Sequence, residues 1–474
     1  MALQSQVETL AVDLDGTLVR TDLLYESFWA SFANSYATPL LAALGLMRGR
    51  AQLKHVLAEK SGLDVTLLPY DEQVINRIKA WRENGGKAVL VTASDIGLAR
   101  RVAEYLGIFD EVHGSDGGTN LKGRVKAAFL ANRYGARNFA YIGDHKSDLP
   151  VWDSAAQIIC VAPRASLRAK LRQLHSEPEL LERTRNPSAY LKSLRFHHWL
   201  KNLLVFLPML AAHRFDGATI LPSVIAFFAF GFIASSVYIL NDLLDLAADR
   251  AHHRKRTRPF ASGAVPIAHG TGMAAALIAL GAALASLLTV DFMLTMLGYF
   301  ALTMAYSLEL KRRAVVDICA LATLYVLRIV AGAAATGIPL SVWMLAFALF
   351  FFVSLATIKR QAELVDASAR GHLKTAGRGY YPSDLAIIAQ MATAAGFVSV
   401  LVLALYVNSR EVVALYRYPE ALWGICVVLL YWISRMVMIT HRGHMHDDPI
   451  VYAATDRNSY VCGLIVLTLA LAGM

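Results

Sequence analysis

The sequence predicts two architectures in one chain: an N-terminal α/β domain with a parallel sheet and an inserted helical cap, then an all-α polytopic membrane bundle of about nine transmembrane helices. Three observations lead there. The chain is 56% hydrophobic with a mean hydropathy of +0.44, too apolar for one soluble globular protein of 474 residues. The apolar excess lies beyond Trp199, where long apolar segments follow one another, whereas up to about Pro187 the apolar runs have strand length and mixed charge around them. Before Pro187 the polar motifs stand directly after those runs, where ligand groups collect at the carboxyl ends of parallel strands.

The first strand, Val7–Leu14, runs into Asp13-Leu14-Asp15-Gly16-Thr17. A second, Ala88–Val91, ends in Thr92; a third region carries Lys122 and Lys126; and Phe139–Ile142 ends in Gly143-Asp144-His145-Lys146-Ser147-Asp148. Residues 22–73 read as the helical cap, with FWASF and LLAALGLM as its apolar faces. A lone DxD is a common surface turn, but these motifs in this order resemble the haloacid-dehalogenase-like (HAD) hydrolase superfamily over residues 1–175, a Rossmann-like fold. The resemblance implies that Asp13 is the nucleophile and Asp15 the acid/base. It also implies that Thr92 and a lysine, Lys126 in preference to Lys122, hold phosphate, and that Asp144 and Asp148 join Asp13 around Mg²⁺. The polar stretch HSEPELLERTRNPSA, residues 175–189, reads as a linker, with the linker segment set at 176–190 before a membrane domain at 191–474.

A hydrocarbon core of about 30 Å needs roughly 20 apolar residues per helix. The candidates are Trp199–Ala212, Thr219–Leu240, Gly272–Val290, Phe292–Leu308, Val315–Thr336, Leu340–Ile358, Asp384–Val407, Pro419–Thr440 and Tyr460–Met474, the first interrupted by Lys201 and Asn202. Basic loops at Arg250–Arg258, Lys311–Arg313, Lys359–Arg378 and Arg435–Arg442 alternate with Thr289–Asp291 and Thr336–Ser341, which carry little positive charge. This positive-inside pattern expects a multi-pass protein of the cytoplasmic (inner) membrane, with the basic loops and the N-terminal domain in the cytoplasm. MALQSQVETLAVDLDGT, which lacks the basic and then apolar stretches of a signal peptide, agrees. The net charge of +10 therefore reports topology and phosphate-binding capacity, and no nucleic-acid partner is expected. Cys160, Cys319, Cys426 and Cys462 have no paired spacing, which excludes a disulfide framework or zinc site.

The chemistry concentrates at the water-facing ends of these helices. Asn241, Asp242, Asp245 and Asp249 close the second apolar run, and at helical spacing the three aspartates stand at i, i+3 and i+7 on one face. Such a cluster repels itself unless a hard cation sits in it, and Mg²⁺ carrying a phosphorylated substrate suits oxygen ligands followed by the basic HHRKRTRPFASG. Tyr306 and Lys311 end one span, Asp317 opens the next, Arg328 lies inside it, and Lys359 and Arg360 end another. An arginine at membrane depth needs a partner, so Arg328 is expected to meet a carboxylate or phosphate. The run His441–Asp448 lacks compact ligand spacing and reads as phosphate contacts or a solvated loop.

NDLLDLAADR with KRTRPFASG, and YSLELKRRAVVDICALATLYVLRIVAG, resemble the UbiA-type prenyltransferase superfamily over residues 187–474. That resemblance implies a nine-helix bundle whose aspartate motifs bind Mg²⁺. A second aspartate pair, DxxxD, is usual there, but the position four after Asp317 is Leu321. LRFHHWLKNLLVFLP, YSLELK, the lone Asp317 and DDPIVYAATDRNS are most similar to the branch that makes polyprenyl-phosphoryl phosphoribose. Similarity to that branch implies phosphoribosyl diphosphate as donor and a polyprenyl phosphate lipid as acceptor. Asp242, Asp245, Asp249 and Asp317 are then the metal ligands, with Asp242 and Asp245 catalytic. Lys201, Asn202, Asn241, Arg258, Tyr306, Lys311, Arg328, Lys359 and Arg360 are the expected substrate contacts. The fusion points to a bifunctional enzyme whose HAD domain dephosphorylates the lipid product. Prenyl transfer from a prenyl diphosphate to an aromatic acceptor, and a membrane-anchored HAD phosphatase, are the competing readings.

Overall fold

Short, fully buried aliphatic runs, each followed by a helix, dictate a parallel sheet covered on both faces. The computed structural model describes residues 7–473 apart from 117, 175–176, 184–185, 370–377 and 446–447. Its strands are β1 (Thr9–Val12), β2 (Lys87–Asp95), β3 (Glu111–Ser115), β4 (Phe139–Gly143), β5 (Gln157–Val161) and β6 (Glu179–Leu181). They form one parallel sheet in the order β3-β2-β1-β4-β5-β6. β1 is central: Leu10 pairs with Ala88 on one side and Ala140 on the other. The strand order reverses at β1, and the crevice beyond its carboxyl end is where doubly wound sheets bind ligands.

The cap predicted over residues 22–73 is helical, as α1 (Leu23–Asn34), α2 (Thr38–Met47) and α3 (Arg50–Ser61), with α4 (Glu72–Glu83) leading back to the sheet. Asp22 N-caps α1, its carboxylate accepting from Leu24 N at 2.9 Å. Between and after the remaining strands stand α5 (Ile96–Leu106), α6 (Arg124–Tyr134), α7 (Leu149–Ser154), α8 (Ala165–Leu174) and α9 (Ser188–Leu194). One expectation needs correction: the linker at 176–190 contains β6, the edge strand. Three residues with half-buried side chains carry no strand signature in the sequence; what fixes them is pairing with β5 and the ion pair of Glu179 with Arg77 at 2.8 Å.

By its internal contacts the chain divides into two compact units, Met1–Leu194 with Tyr238–Ala274, and Arg195–Val237 with Ala275–Met474. The first unit therefore includes the end of α11 (Gly217–Leu244), all of α12 (Leu246–Ala251) and the start of α13 (Ile267–Ala285).

The second unit is helical. It contains α10 (Leu207–Ala211), most of α11, α14 (Val290–Leu308), α15 (Val316–Thr336), α16 (Val342–Ala369), α17 (Leu385–Val407), α18 (Arg410–Leu415), α19 (Trp423–His441), α20 (Pro449–Ala453) and α21 (Arg457–Gly473). Among the described residues seven helices, rather than nine, are long and apolar enough to cross a membrane. This is a multi-pass integral membrane protein. The first expected span is instead a 3-10 helix, Phe196–Phe206, followed by the five-residue α10 with Pro208 in its first turn. Its polar residues explain the failure: Lys201 and Asn202 are buried among protein groups instead of facing lipid. The last, α21, has 17 residues. Backbones approach closely at Gly332 of α15, where a Cβ would lie 2.0 Å from Val205 O.

Candidate active sites

At the carboxyl ends of β1 and β4 the loops bring the predicted phosphatase residues together. Asp13 is 8% exposed, Asp148 and Lys126 2% each, and Lys126 Nζ donates to Asp13 Oδ1 at 2.8 Å. Lys122 stands just before α6. Tyr141, a strand residue that no motif singles out, accepts from Lys126 at 3.0 Å and donates to Asp148 Oδ1 at 3.2 Å. Thr92 is buried within β2, its hydroxyl accepting from Ser94 N at 3.0 Å. Ser94 in turn donates to Asp15, whose other oxygen accepts from Leu23 N at 2.8 Å, so Asp15 holds the start of the cap. The turn between Asp15 and Thr17 needs glycine: Gly16 has φ +75°, and a Cβ would stand 2.4 Å from Asp144 Oδ2. Arg183, read only as linker, donates to Gly16 O and Thr17 O at 3.0 Å each.

Negative charge exceeds positive in this pocket. Burial, then the neighbouring Asp13 and Asp148, lift the Asp144 carboxyl to about 8. Burial and Asp22 likewise raise Asp15, and burial and Asp13 raise Asp148 against the pull of Lys126. Asp13, Asp144 and Asp148 each present an oxygen within 4.8 Å of the others, a grouping unmatched among the described His, Cys, Asp and Glu residues. A convergent, self-repelling set of hard donors fits a divalent cation such as Mg²⁺.

The other aspartate motif belongs to the same unit but is arranged differently. α11 ends at Leu244 and Asp245 stands between it and α12, with Asp249 N donating to Asp245 O at 2.8 Å. Asp242 and Asp249, each 2% exposed, close on one atom: Arg258 Nη1 lies 3.1 Å from Asp242 Oδ1 and 2.7 Å from Asp249 Oδ2. Asp245 N donates to Asn241 O at 2.9 Å, continuing the helical path. Two buried carboxylates converging on one cationic atom suit a cation at that point, with phosphate oxygens completing its shell. Burial raises Asp249 against the pull of Arg258.

In the second unit the expected cations have partners within the chain. Asp317 is fully buried; Arg360 Nε lies 2.5 Å from its Oδ2 and Tyr380 donates to its Oδ1 at 2.5 Å. Both oxygens of Asp317, expected as a metal ligand, thus have partners within the chain. Arg360 also bonds Glu363 and donates to Tyr306 Oη at 3.0 Å, and Arg378 donates to the same hydroxyl at 2.8 Å and to Lys311 O at 3.4 Å. Arg328 has no carboxylate partner among the described residues. It donates to Asn202 Oδ1 at 3.1 Å, Tyr299 Oη at 2.8 Å and Leu324 O at 2.6 Å, which satisfies it in place. Lys201 and Lys359 converge on Asp448 Oδ2 at 2.7 and 3.1 Å. Burial opposes the Asp448 charge, but Lys359 and Lys201 hold it well below the usual carboxylate range. Asp448 ends the run expected to make phosphate contacts or form a solvated loop; its neighbours His446 and Asp447 lie outside the described residues.

Comparison with known proteins agrees with both halves. Residues 10–153 match the haloacid dehalogenase-like hydrolase family and residues 203–453 the UbiA prenyltransferase family. An uncharacterized protein of Sinorhizobium fredii, y4nM, is 36% identical over 96% of this chain and 89% of its own length. Nodulation protein NoeC of Azorhizobium caulinodans is 41% identical over 60% of this chain and 91% of its own. Decaprenyl-phosphate phosphoribosyltransferase of Corynebacterium glutamicum is 39% identical over 43% of this chain and 64% of its own. With more than half of its residues inside that match, the chain belongs to the UbiA prenyltransferase family and carries an N-terminal HAD-like domain.

Proposed function

We propose that the protein transfers 5-phosphoribose from phosphoribosyl diphosphate to a polyprenyl phosphate, and that its HAD domain removes the 5-phosphate from the lipid product. The observation that carries the reading is the 39% identity over 211 residues to a decaprenyl-phosphate phosphoribosyltransferase. The buried carboxylate pair closing on Arg258, and the paired Lys201 and Lys359, supply chemistry for polyphosphates at the membrane. The positive-inside distribution of the basic loops supports a cytoplasmic side of the inner membrane for both activities.

In the transfer, the bond from ribose C1 to diphosphate breaks and a lipid phosphate oxygen bonds to C1, with inorganic diphosphate leaving. The acceptor is already anionic, so no proton has to move. Mg²⁺ held by Asp242 and Asp249, with Asp245 adjoining, would offset diphosphate charge. Arg258, Lys201 and Lys359 orient the phosphates by charge-assisted hydrogen bonds. Asn241, Tyr306 and Lys311 stay assigned to substrate contact in this reading.

In the phosphatase, Asp13 attacks phosphorus and Asp15, kept protonated by its burial, gives its proton to the departing C5 oxygen. Water then cleaves the aspartyl phosphate, with Asp15 taking the proton, and phosphate leaves. Mg²⁺ on Asp13, Asp144 and Asp148 would offset phosphoryl charge. Lys126 neutralises Asp13, and Thr92, in β2, is assigned to the phosphoryl oxygens in this reading.

The test is to supply the purified protein with Mg²⁺, a polyprenyl phosphate and labelled phosphoribosyl diphosphate. Label entering the lipid, followed by phosphate release that Asp13→Asn abolishes, is the expected result. Turnover of a prenyl diphosphate instead, with no label in lipid, would overturn it.

A further inference from the structure

The segment that follows the Asp242–Asp249 pair is gripped by the cap of the HAD domain. Arg250, adjacent to Asp249, is in a bidentate ion pair with Glu26 of α1: Nη1 lies 3.1 Å from Oε2 and Nη2 2.5 Å from Oε1. The side chains are 6% and 1% exposed. Arg250 Nε also donates to Ala261 O at 2.9 Å, so one guanidinium joins α1, α12 and the turn after Arg258. Trp29, one turn along α1, donates to Thr271 Oγ1 at 3.1 Å, and Tyr190 Oη and His269 Nδ1 share a hydrogen bond of 2.7 Å. Gly263, at φ +70°, sits so near Arg20 that a Cβ would be 2.7 Å from its Cβ.

These contacts fix the two ends of the stretch that carries Asp249 and Arg258. A bidentate pair sets orientation as well as distance. When it is buried, losing one partner leaves an uncompensated charge, so the arrangement tolerates little drift. We infer that Glu26 and Arg250 are positioning residues for the transferase: α1 of the phosphatase domain sets where Asp249 and Arg258 stand, and thereby the affinity for the diphosphate donor. Phosphoribosyl transfer then requires the fold of the HAD domain and not its chemistry. The inference rests on the proposed role of Asp249 and Arg258 in that transfer.

The experiment uses full-length protein in nanodiscs, with amide hydrogen exchange and steady-state kinetics on Glu26→Gln, Arg250→Gln and the double variant. In Glu26→Gln, exchange across residues 246–263 should rise roughly tenfold while β1 and β4 keep wild-type protection. KM for phosphoribosyl diphosphate should rise roughly tenfold with kcat within about twofold. In the double variant both effects should be no larger than in the worse single variant, because the two side chains act as one unit. Unchanged exchange at 246–263, or effects that add in the double variant, would overturn the inference. If the wild-type enzyme proves to use another donor, the functional proposal falls, while the exchange cycle, which needs no turnover, still decides this one.

Discussion

The carboxylates at the ends of β1 and β4 and those among the membrane helices meet burial in opposite ways. In the HAD pocket Asp13, Asp15, Asp144 and Asp148 crowd around Lys126, and burial with mutual repulsion carries Asp144 to about 8. In the second unit Asp317 is matched by Arg360, and Asp448 by Lys201 and Lys359, within the chain. The first cluster is arranged to be completed by a cation from solution; the second is complete without one. The difference separates a self-repelling cluster suited to a cation from aspartates already matched by cations of the chain, although all have basic neighbours in the sequence.

Mutation can break that comparison. The largest effect is expected for Asp13→Asn, which should lower phosphate release at least about 10³-fold by removing the nucleophile while label transfer to lipid persists. Next, Asp242→Ala should lower label transfer roughly 100-fold, with hydrolysis of a soluble phosphomonoester unaffected. Loss of both activities in either variant would mean that the chemistries are not separable.

Stability should sharpen the contrast. Asp317→Asn removes one of the two carboxylates paired with Arg360, leaving Glu363, and should cost about 1.5–3 kcal/mol, read from thermal unfolding in detergent. Asp144→Asn should do the reverse in metal-free protein, raising the melting temperature by relieving repulsion while abolishing stabilisation by added Mg²⁺. A matching loss in both variants would show that the two clusters are balanced alike.

The smallest effect is a slope. Asp144, Asp15 and Asp148 all have folded-state values raised above those of the unfolded chain, so the favourable contribution of their protons is present at low pH and lost as pH rises through the folded values. In chelator, unfolding of the HAD domain should therefore become easier from about pH 6 to 8, and saturating Mg²⁺ should flatten this dependence. Calorimetry across that range with and without the metal checks both halves.

Much of the HAD site was legible because each motif directly follows an apolar strand, which leaves little freedom in where Asp13, Asp15, Asp144 and Asp148 can stand. Tyr141 escaped notice because an inward-facing tyrosine in a buried strand looks like core. In the membrane half the residue types were legible but not their partners. Arg360 is 43 positions from Asp317 and Asp448 is 247 from Lys201, and such pairings are decided by helix packing that no local pattern encodes. The nine-helix expectation failed at Phe196–Ala211 for a related reason: apolar content alone does not distinguish a segment facing lipid from one buried around Lys201 and Asn202.

The path of the chain through its two units has a consequence for synthesis. The first unit is discontinuous, taking Tyr238–Ala274, which begins in the last turns of the first long apolar helix and runs on beyond it. A ribosome that has delivered residue 194 has therefore not delivered the whole unit; the remaining piece emerges only after α11 has been handed to the membrane. At roughly 5–20 residues per second that is a wait of several seconds. The sheet can form in the interval, but Glu26 has no Arg250 to meet until insertion has begun, so closure of the cap region reports that the membrane segment has arrived.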